Sequence, residues 1–444
     1  MGPNLGWEGA AARVKSAFFP MARKHNHGMT SALNPRRTID ELKELRVMTG
    51  DDNGAQRVAF TPTWVEARGF LRKRFEGLPV EIHNDAAGNF WATLRGESDK
   101  ELLIGGHIDS VPNGGWLDGC LNTLAGVEVM RRICAEYNGK PPVTVRVVDW
   151  ADEEGARFGK SLFGSSSCSG NLDMDEARGL VDQDGIKLPD ALQKVGIDFE
   201  KVKDCGKELE HAAAYIELHI EQGPVLLDRN LPLGAVLGTF GVERHAITFH
   251  GQAAHSGSTP MDRRKDAFLA AARMSPEIYK IAERSGIGVC TIGSCTTKPG
   301  IVTSVVADCR ITLDQRHLER DKLATMHAEA MEACKRFASE AGCTVEWERL
   351  WHIAPAPFDP DLVNFCDDAI QETCGVSRRL PSGPLHDAAE VCMAGVPTVM
   401  MFVQSLHGIS HNKIEDTKEE HIAMSVEALD RLAEKTMAWI KTKS

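Results

Sequence analysis

Three short apolar runs in this chain, LLIGG, VTVRVVDW and AAYIELHI, each lead straight into a polar cluster: GGHID, ADEEG and HIEQG. Short apolar runs bounded by turn residues read as strands buried on both faces. After the first, LNTLAGVEVMRRICAEY sets Leu121, Leu124, Val127, Met130 and Ile133 on about one face of a helix. Strands alternating with helices specify an α/β fold with a mostly parallel sheet covered on both sides. In such sheets ligands bind beyond the carboxyl ends of the strands, so the three polar clusters converge on one rim.

From about Gly241 to Leu350 the rhythm changes. ERHAITFHG reads as a strand, and MDRRKDAFLAAARMSPEIYKIAERSG as a helix with Phe268, Ala271, Ile278 and Ile281 inward. IGVCTIG and TSVVADCRITLDQR follow as strands, then LERDKLATMHAEAMEACKRFASEAG as a helix and TVEWERL as a strand. That β-α-β-β-α-β order is ferredoxin-like. After Trp351 the α/β pattern resumes, with VPTVMMFVQ as a buried strand and a final helix from about Glu419. The expectation is one domain, residues 38–240 and 351–444, interrupted by a smaller α+β domain at 241–350. Residues 1–37 carry six Arg or Lys against the single acid Glu8. They read as a loosely ordered extension, with a transit peptide as the alternative.

A length of 444 residues fits two domains. A net charge of −12 disfavours nucleic acid or an anionic membrane as partner. No run approaches the roughly 18 apolar residues of a membrane span. The 12 cysteines lack C-x-x-C spacing and read as reduced thiols of a cytoplasmic protein.

A hydrolytic metal site needs His or carboxylate ligands around an open position. His107, Asp118, Glu154, His219 and His411 supply such groups at the ends of predicted strands or in loops. Singly, each has a plainer reading. A strand-end His is often just hydrogen-bonded, Asp118-Gly119 fits a turn, and His411 fits a loop cap before the last helix.

The ordered series GGHIDSVPNGGWLDG, DEEGARF, LHIEQGP, GQAAHSGSTPMDRRKDA, LHDA and GISHN resembles the M20 metallopeptidase superfamily, specifically its hydantoinase/carbamoylase branch. That branch contains N-carbamoyl-L-amino-acid hydrolases, allantoate amidohydrolases and β-ureidopropionases. The similarity runs from about residue 38 to the C-terminus. It implies a di-metal catalytic domain with an inserted lid that forms a homodimer. It also implies that His107 and His219 hold one divalent ion, that Glu154 and His411 hold the other, and that Asp118 bridges them. Zinc, manganese, cobalt and nickel all suit such ligands. By the same resemblance Glu153 is the general base, Asp109 receives the remaining N–H of His107, and His255 reaches from the lid into the partner's site to stabilise an oxyanion. Gln222 and Arg316 fall on substrate-binding positions, Arg316 facing a substrate carboxylate. From spacing alone, an ion pair with Asp314 is an equal reading of Arg316. His386 and Asp387 match a motif near the substrate.

The pocket departs from the branch's pattern. Thr303 stands where an Asn usually touches the substrate carboxylate, and Val306 where a Pro is usual. Trp116 replaces a polar or small residue, Asn122 a Gly and Ser256 an Ala, and His407 is an addition. An aromatic or bulky substrate part would suit Trp116. The leading expectation is hydrolysis of a linear amide or ureido bond in a small N-carbamoyl- or N-acyl-amino acid. Allantoate, ureidoglycolate or an unusual N-acyl amide comes next. A peptidase and a non-catalytic homologue complete the alternatives.

Overall fold

The structure is a computed structural model that describes residues 33–443. Of the extension drawn at 1–37, residues 1–32 lie outside the described residues. Arg36 and Arg37 already belong to the first helix, α1 (Pro35–Thr49), where Asn34 caps the N-terminus by accepting from the Arg37 N–H and Pro35 sits in the first turn. Arg37 pairs with the buried Glu128 at 2.7 Å, which fixes α1 to the body.

The larger sheet forms around β1 (Glu81–Asn84), β2 (Phe90–Leu94), β3 (Glu101–His107), β4 (Thr144–Trp150), β5 (Ala212–Ile220) and β6 (Leu233–Thr239). The second sheet holds β7 (Gly241–His250), β8 (Val289–Lys298), β9 (Asp308–His317) and β10 (Thr344–Ile353). The chain then returns to the first sheet with β11 (Arg379–Ser382) and β12 (Thr398–Val403).

Spatial order in the first sheet is Ala356–Pro357, β6, β12, β5, β3, β4, β2, β1, with β11 beside β6. The four central strands β12, β5, β3 and β4 are parallel, and antiparallel neighbours close both flanks. This is a mixed α/β fold whose sheet is parallel at its centre. Every residue of β3 and β4 is buried, as in a sheet covered on both faces. Burying a side chain such as Leu103 or Val147 contributes about 1.5–3 kcal/mol each.

The helix α2 (Cys120–Glu136) follows β3 and is buried almost all round from Cys120 to Met130. The single apolar face read from its sequence therefore underestimates it. It packs on the sheet while α1 and the C-terminal helix α3 (Glu419–Thr442) cover its back, so Asn122, Thr123 and Glu128 are buried too.

The second sheet is antiparallel, in the order β8-β9-β7-β10. Two helices, α4 (Ala267–Ser285) and α5 (Arg320–Glu340), cover one face and share a separate apolar core with Ile247, Phe249, Ile311 and Leu313. Phe268 is 47% exposed; the inward face of α4 is Ala267, Ala270, Ala271, Met274, Ile278 and Ile281. The helix starts at Ala267, capped by Asp266, several residues later than its apolar pattern suggested. At about 100° per residue the inward face centres near Met274, and Phe268 lies roughly 110° away from it, on the solvent side.

The chain crosses between the sheets twice, side by side. Val242 pairs with Ile353 in the second sheet, and Thr239 with Ala356 in the first. This double connection holds the open face of β7 and β9 over the rim of the first sheet.

Candidate metal centre and cavity

The polar clusters do meet on one rim. His107 ends β3, residues 151–155 follow β4, and His219 is the penultimate residue of β5. Asp118 lies in the loop between β3 and α2, and His411 in the loop between β12 and α3. The Asp118 Oδ1 atom lies 3.1 Å from His219 Nε2 and 3.8 Å from His107 Nε2, and its Oδ2 atom 3.5 Å from His411 Nε2. His411 Nε2 is 3.2 Å from Glu154 Oε2. One oxygen of Asp118 thus faces the His107–His219 pair and the other faces His411.

The two buried histidines have defined tautomers. His107 Nδ1 lies 3.1 Å from the Asp109 carbonyl, and His219 Nδ1 lies 2.9 Å from the Ile220 carbonyl. A carbonyl only accepts, so each Nδ1 carries the proton, and in the neutral ring each Nε2 presents a lone pair. Both Nε2 atoms, and Glu154 Oε1, are buried without a hydrogen-bond partner. Ligand atoms of His107, Asp118 and His219, and of His107, Glu153 and Glu154, each lie within 4.8 Å of one another. Buried lone pairs facing carboxylates are the donor set a divalent cation takes, so the residues fit the metals the sequence implies.

Electrostatics point the same way. Burial pushes Asp152, Glu153 and Glu154 above the usual carboxylate range, and their acidic neighbours add to the shift. His411 is pushed up to about 9, chiefly by its hydrogen bond with Glu154. The cluster holds more negative charge than its own side chains balance. A cation set against it relieves that repulsion.

The acidic loop is held by its backbone. The Asp109 carboxylate accepts the N–H groups of Glu153 and Glu154, both at 3.2 Å. It lies 3.6 Å from His107 Nδ1, whose proton goes to the Asp109 carbonyl instead. Asp109 therefore orients the loop more directly than it orients the imidazole. Asn89 accepts from the Ala151 N–H and donates to the Gly164 carbonyl, closing the loop's base. Glu153 Oε2 then sits 3.7 Å from His107 Nε2.

Two glycines shape the opposite loop. Gly119 has φ +67°, and a Cβ there would fall 2.2 Å from the His107 ring. A Cβ on Gly115 would fall 2.0 Å from the Glu415 carboxyl carbon. That carboxylate accepts the Leu117 and Asp118 N–H groups at 3.1 and 3.0 Å and the Ser410 hydroxyl at 2.8 Å. Glu415 and Ser410 thereby tie the Asp118 loop to the His411 loop. Neither was singled out from sequence, because nothing in the spacing of GISHNKIE signals a partner about 300 residues away.

A cavity of about 700 Å³ opens over the cluster, with Glu153, Glu154, His219 and His411 at its base. Gln222, Arg316 and His386 line it as well. Gln222 donates to Asp118 Oδ2 at 2.9 Å. The His386 ring packs on His219 with centroids 4.4 Å apart, and its Nε2 meets the Ser382 hydroxyl. Asp387 is buried behind the site and accepts from Ser165 Oγ at 2.5 Å.

Three expected residues lie elsewhere in the single chain. Trp116 turns away, lines a separate cavity with Arg46 and Lys413, and donates its indole N–H to Asp416. Its size therefore does not shape the cavity over the cluster. His255 and Thr303 lie in exposed segments joined by the short pairing of Ala254–His255 with Ser304–Val305. His255 Nδ1 there accepts the N–H groups of Gly257 and Ser258.

The sequence pattern of peptidase family M20/M25/M40 matches residues 103–435 of the chain. The chain is 32% identical to an N-carbamoyl-L-amino acid amidohydrolase of Geobacillus stearothermophilus over 85% of this chain and 92% of that one. It is 30% identical to an allantoate amidohydrolase of Escherichia coli (strain K12) over 91% and 99%. The crystal structure of a hydantoinase/carbamoylase family amidase from Burkholderia multivorans superposes with a TM-score of 0.80 at 30% identity, covering 90% of this chain and 97% of that one.

Proposed function

Because the chain belongs to peptidase family M20/M25/M40, we propose that it is a metal-dependent amidohydrolase cleaving a linear C–N bond of a small N-carbamoyl- or N-acyl-amino acid. The observation that carries this reading is the pair of buried histidines, each with its Nε2 lone pair turned towards the two-faced carboxylate of Asp118. His107 and His219 would hold one ion and Glu154 and His411 the second, with Asp118 facing both groups. Two bound divalent cations supply Lewis acidity to the substrate carbonyl and acidity to a water molecule.

The chain's own residues do the rest. Glu153, held by its backbone N–H on Asp109, takes the proton of the attacking water and returns it to the leaving nitrogen. Burial raises the Glu153 carboxyl above the usual carboxylate range, the direction a general base needs. His386 and Gln222 position the substrate at the cavity wall, and Arg316 receives its carboxylate. Asp387, held by the Ser165 hydroxyl, lies buried behind the site. A carbamoyl substrate and one water yield the free amine and carbamic acid, which decomposes to CO₂ and ammonia.

The exposed position of His255 and Thr303 fits a homodimer in which these residues act in the partner's cavity. By this reading the chain divides into 38–240 with 351–444, together with the start of α1 from Pro35, and 241–350, the smaller part serving as lid and dimerisation surface. Among the described residues no helix is long and apolar enough to cross a membrane. The 12 cysteines are free thiols, which suits a cytoplasmic location. Allantoate is the alternative substrate, on the likeness to the Escherichia coli relative.

The test is a panel of N-carbamoyl, N-formyl and N-acyl amino acids plus allantoate, given to enzyme reconstituted with zinc, manganese, cobalt or nickel. Ammonia and free amine are assayed separately. Turnover of none of them refutes the amidohydrolase reading, and free amine without ammonia excludes the carbamoyl substrate. Glu153→Gln keeps its metal content by elemental analysis and loses about 10²–10⁴-fold in kcat. Normal turnover in that loaded variant removes Glu153 as the base.

A further inference from the structure

The wall of the cavity opposite the cluster comes from the second sheet, from the face that α4 and α5 leave uncovered. Register sets its residues in a row: Trp351 of β10 lies opposite Arg244 of β7, which lies opposite Asp314 of β9. Two positions along β9, Arg316 lies opposite Val242. Trp351, Arg244, Arg316 and Val242 all line the cavity.

Asp314 holds both guanidinium groups. Arg244 donates to its Oδ2 from Nε and Nη2 at 2.9 and 2.7 Å. Arg316 donates to its Oδ1 from Nε at 2.8 Å and to its Oδ2 from Nη2 at 3.4 Å, and from Nη1 to the Gly383 carbonyl at 3.1 Å. Burial alone would raise the Asp314 carboxyl, but hydrogen bonds from Arg316 and Arg244 hold it below the usual range. The wall therefore carries two cations against one anion, a net +1. The Arg244 guanidinium also lies 5.2 Å from the centre of the Trp351 ring, which supports its plane from the other side. Among the described residues, Arg244 Nη1 has no protein acceptor.

We propose that Arg244 is a substrate-binding residue, the second prong of a two-guanidinium fork that selects substrates bearing one carboxylate. A planar guanidinium meets a carboxylate through two parallel N–H···O bonds, with an orientation no point charge imposes. Asp314 and Trp351 fix the plane of Arg244 before substrate arrives, so little rotamer entropy is lost on binding. Arg244 and Arg316 line the same cavity as Glu153 and His219. The carboxylate end of the substrate docks on the fork while the scissile bond lies over the cluster. The ion pair of Arg316 with Asp314 and its role towards substrate are thus one arrangement, not alternatives.

This inference rests on the amidohydrolase reading, and a matched pair of substrates separates the two. The pair is the best N-carbamoyl- or N-acyl-amino acid of the panel and its neutral carboxamide, both given to metal-reconstituted enzyme. Arg244→Ala raises KM for the acid by about 10- to 100-fold while kcat stays within about threefold, and KM for the carboxamide moves less than about threefold. Arg244→Lys, which keeps the charge and loses the fork, raises KM for the acid by at least about fivefold. It carries the test if the alanine variant does not fold. Calorimetric titration with the free amino acid product shows the same weakening without turnover. Equal losses on acid and carboxamide, or no loss on the acid, overturn the inference alone. A wild type that hydrolyses neither member overturns the amidohydrolase reading and the inference with it.

Discussion

Replacing Glu415 by alanine takes away the group that joins the Asp118 loop to the His411 loop. In the native chain it is 2% exposed and accepts two backbone N–H groups and a hydroxyl. Ser410 has a second acceptor, Asp118 Oδ2 at 2.7 Å, so its hydroxyl stays satisfied in Glu415→Ala. The N–H groups of Leu117 and Asp118 do not. Each buried donor left without a partner costs about 1–3 kcal/mol. Two together cost about 2–6 kcal/mol, and water entering the vacated space shifts the expected value to about 2–4 kcal/mol. The loosened Asp118 also binds divalent metal about 10- to 100-fold more weakly. Glu415→Gln keeps an amide oxygen for both N–H groups and costs less than about 1 kcal/mol. Urea unfolding of chelator-treated protein, followed by tryptophan fluorescence, reads the first effect, and competition with a chromophoric chelator reads the second. An alanine variant within about 0.5 kcal/mol of wild type, with unchanged metal affinity, refutes the claim that Glu415 positions Asp118.

Trp116→Phe removes an indole that lines a different cavity, so relative KM values across the substrate panel stay within about twofold of wild type; a selective change for aromatic substrates contradicts the geometry. A pH effect is expected far from the site, at Glu208. Burial alone would raise its carboxyl, but hydrogen bonds from His83 and Arg146 bring it down to about 2 from an ordinary 4.5. A folded-state pKa below the unfolded one stabilises above the unfolded value and is lost as pH falls through the folded one. Glu208→Gln therefore lowers the urea midpoint at neutral pH, and the gap to wild type narrows as pH falls from 4.5 towards 2. A gap that is constant across that window shows that the ion pairs contribute nothing.

Much of the site could be read from the chain because strand ends advertise themselves. Once LLIGGH, VTVRVVDW and AAYIELHI are read as parallel strands, His107, residues 151–155 and His219 must share a rim. The alternation of β9 likewise set Arg316 and Asp314 on the face opposite Cys309, Ile311 and Leu313, which are buried. Local pattern failed where a side chain's direction depends on distant packing. Trp116 lies two residues from Asp118 yet turns towards Arg46, because Glu415 fills the space on the inner side of its loop. Arg244 sits in a strand with no motif, and only the register with β9 and β10 sets it between Asp314 and Trp351.

What the sequence alone determined is the set of chemical groups and the order of strands and helices, since periodicity and strand-end polarity are local properties of the chain. Tertiary structure decided what the Asp109 carboxylate holds and which way the Trp116 ring turns. Those choices depend on hydrogen-bond partners tens to hundreds of residues away. A carboxylate that accepts the N–H groups of a distant loop is in place only once the chain has closed around it.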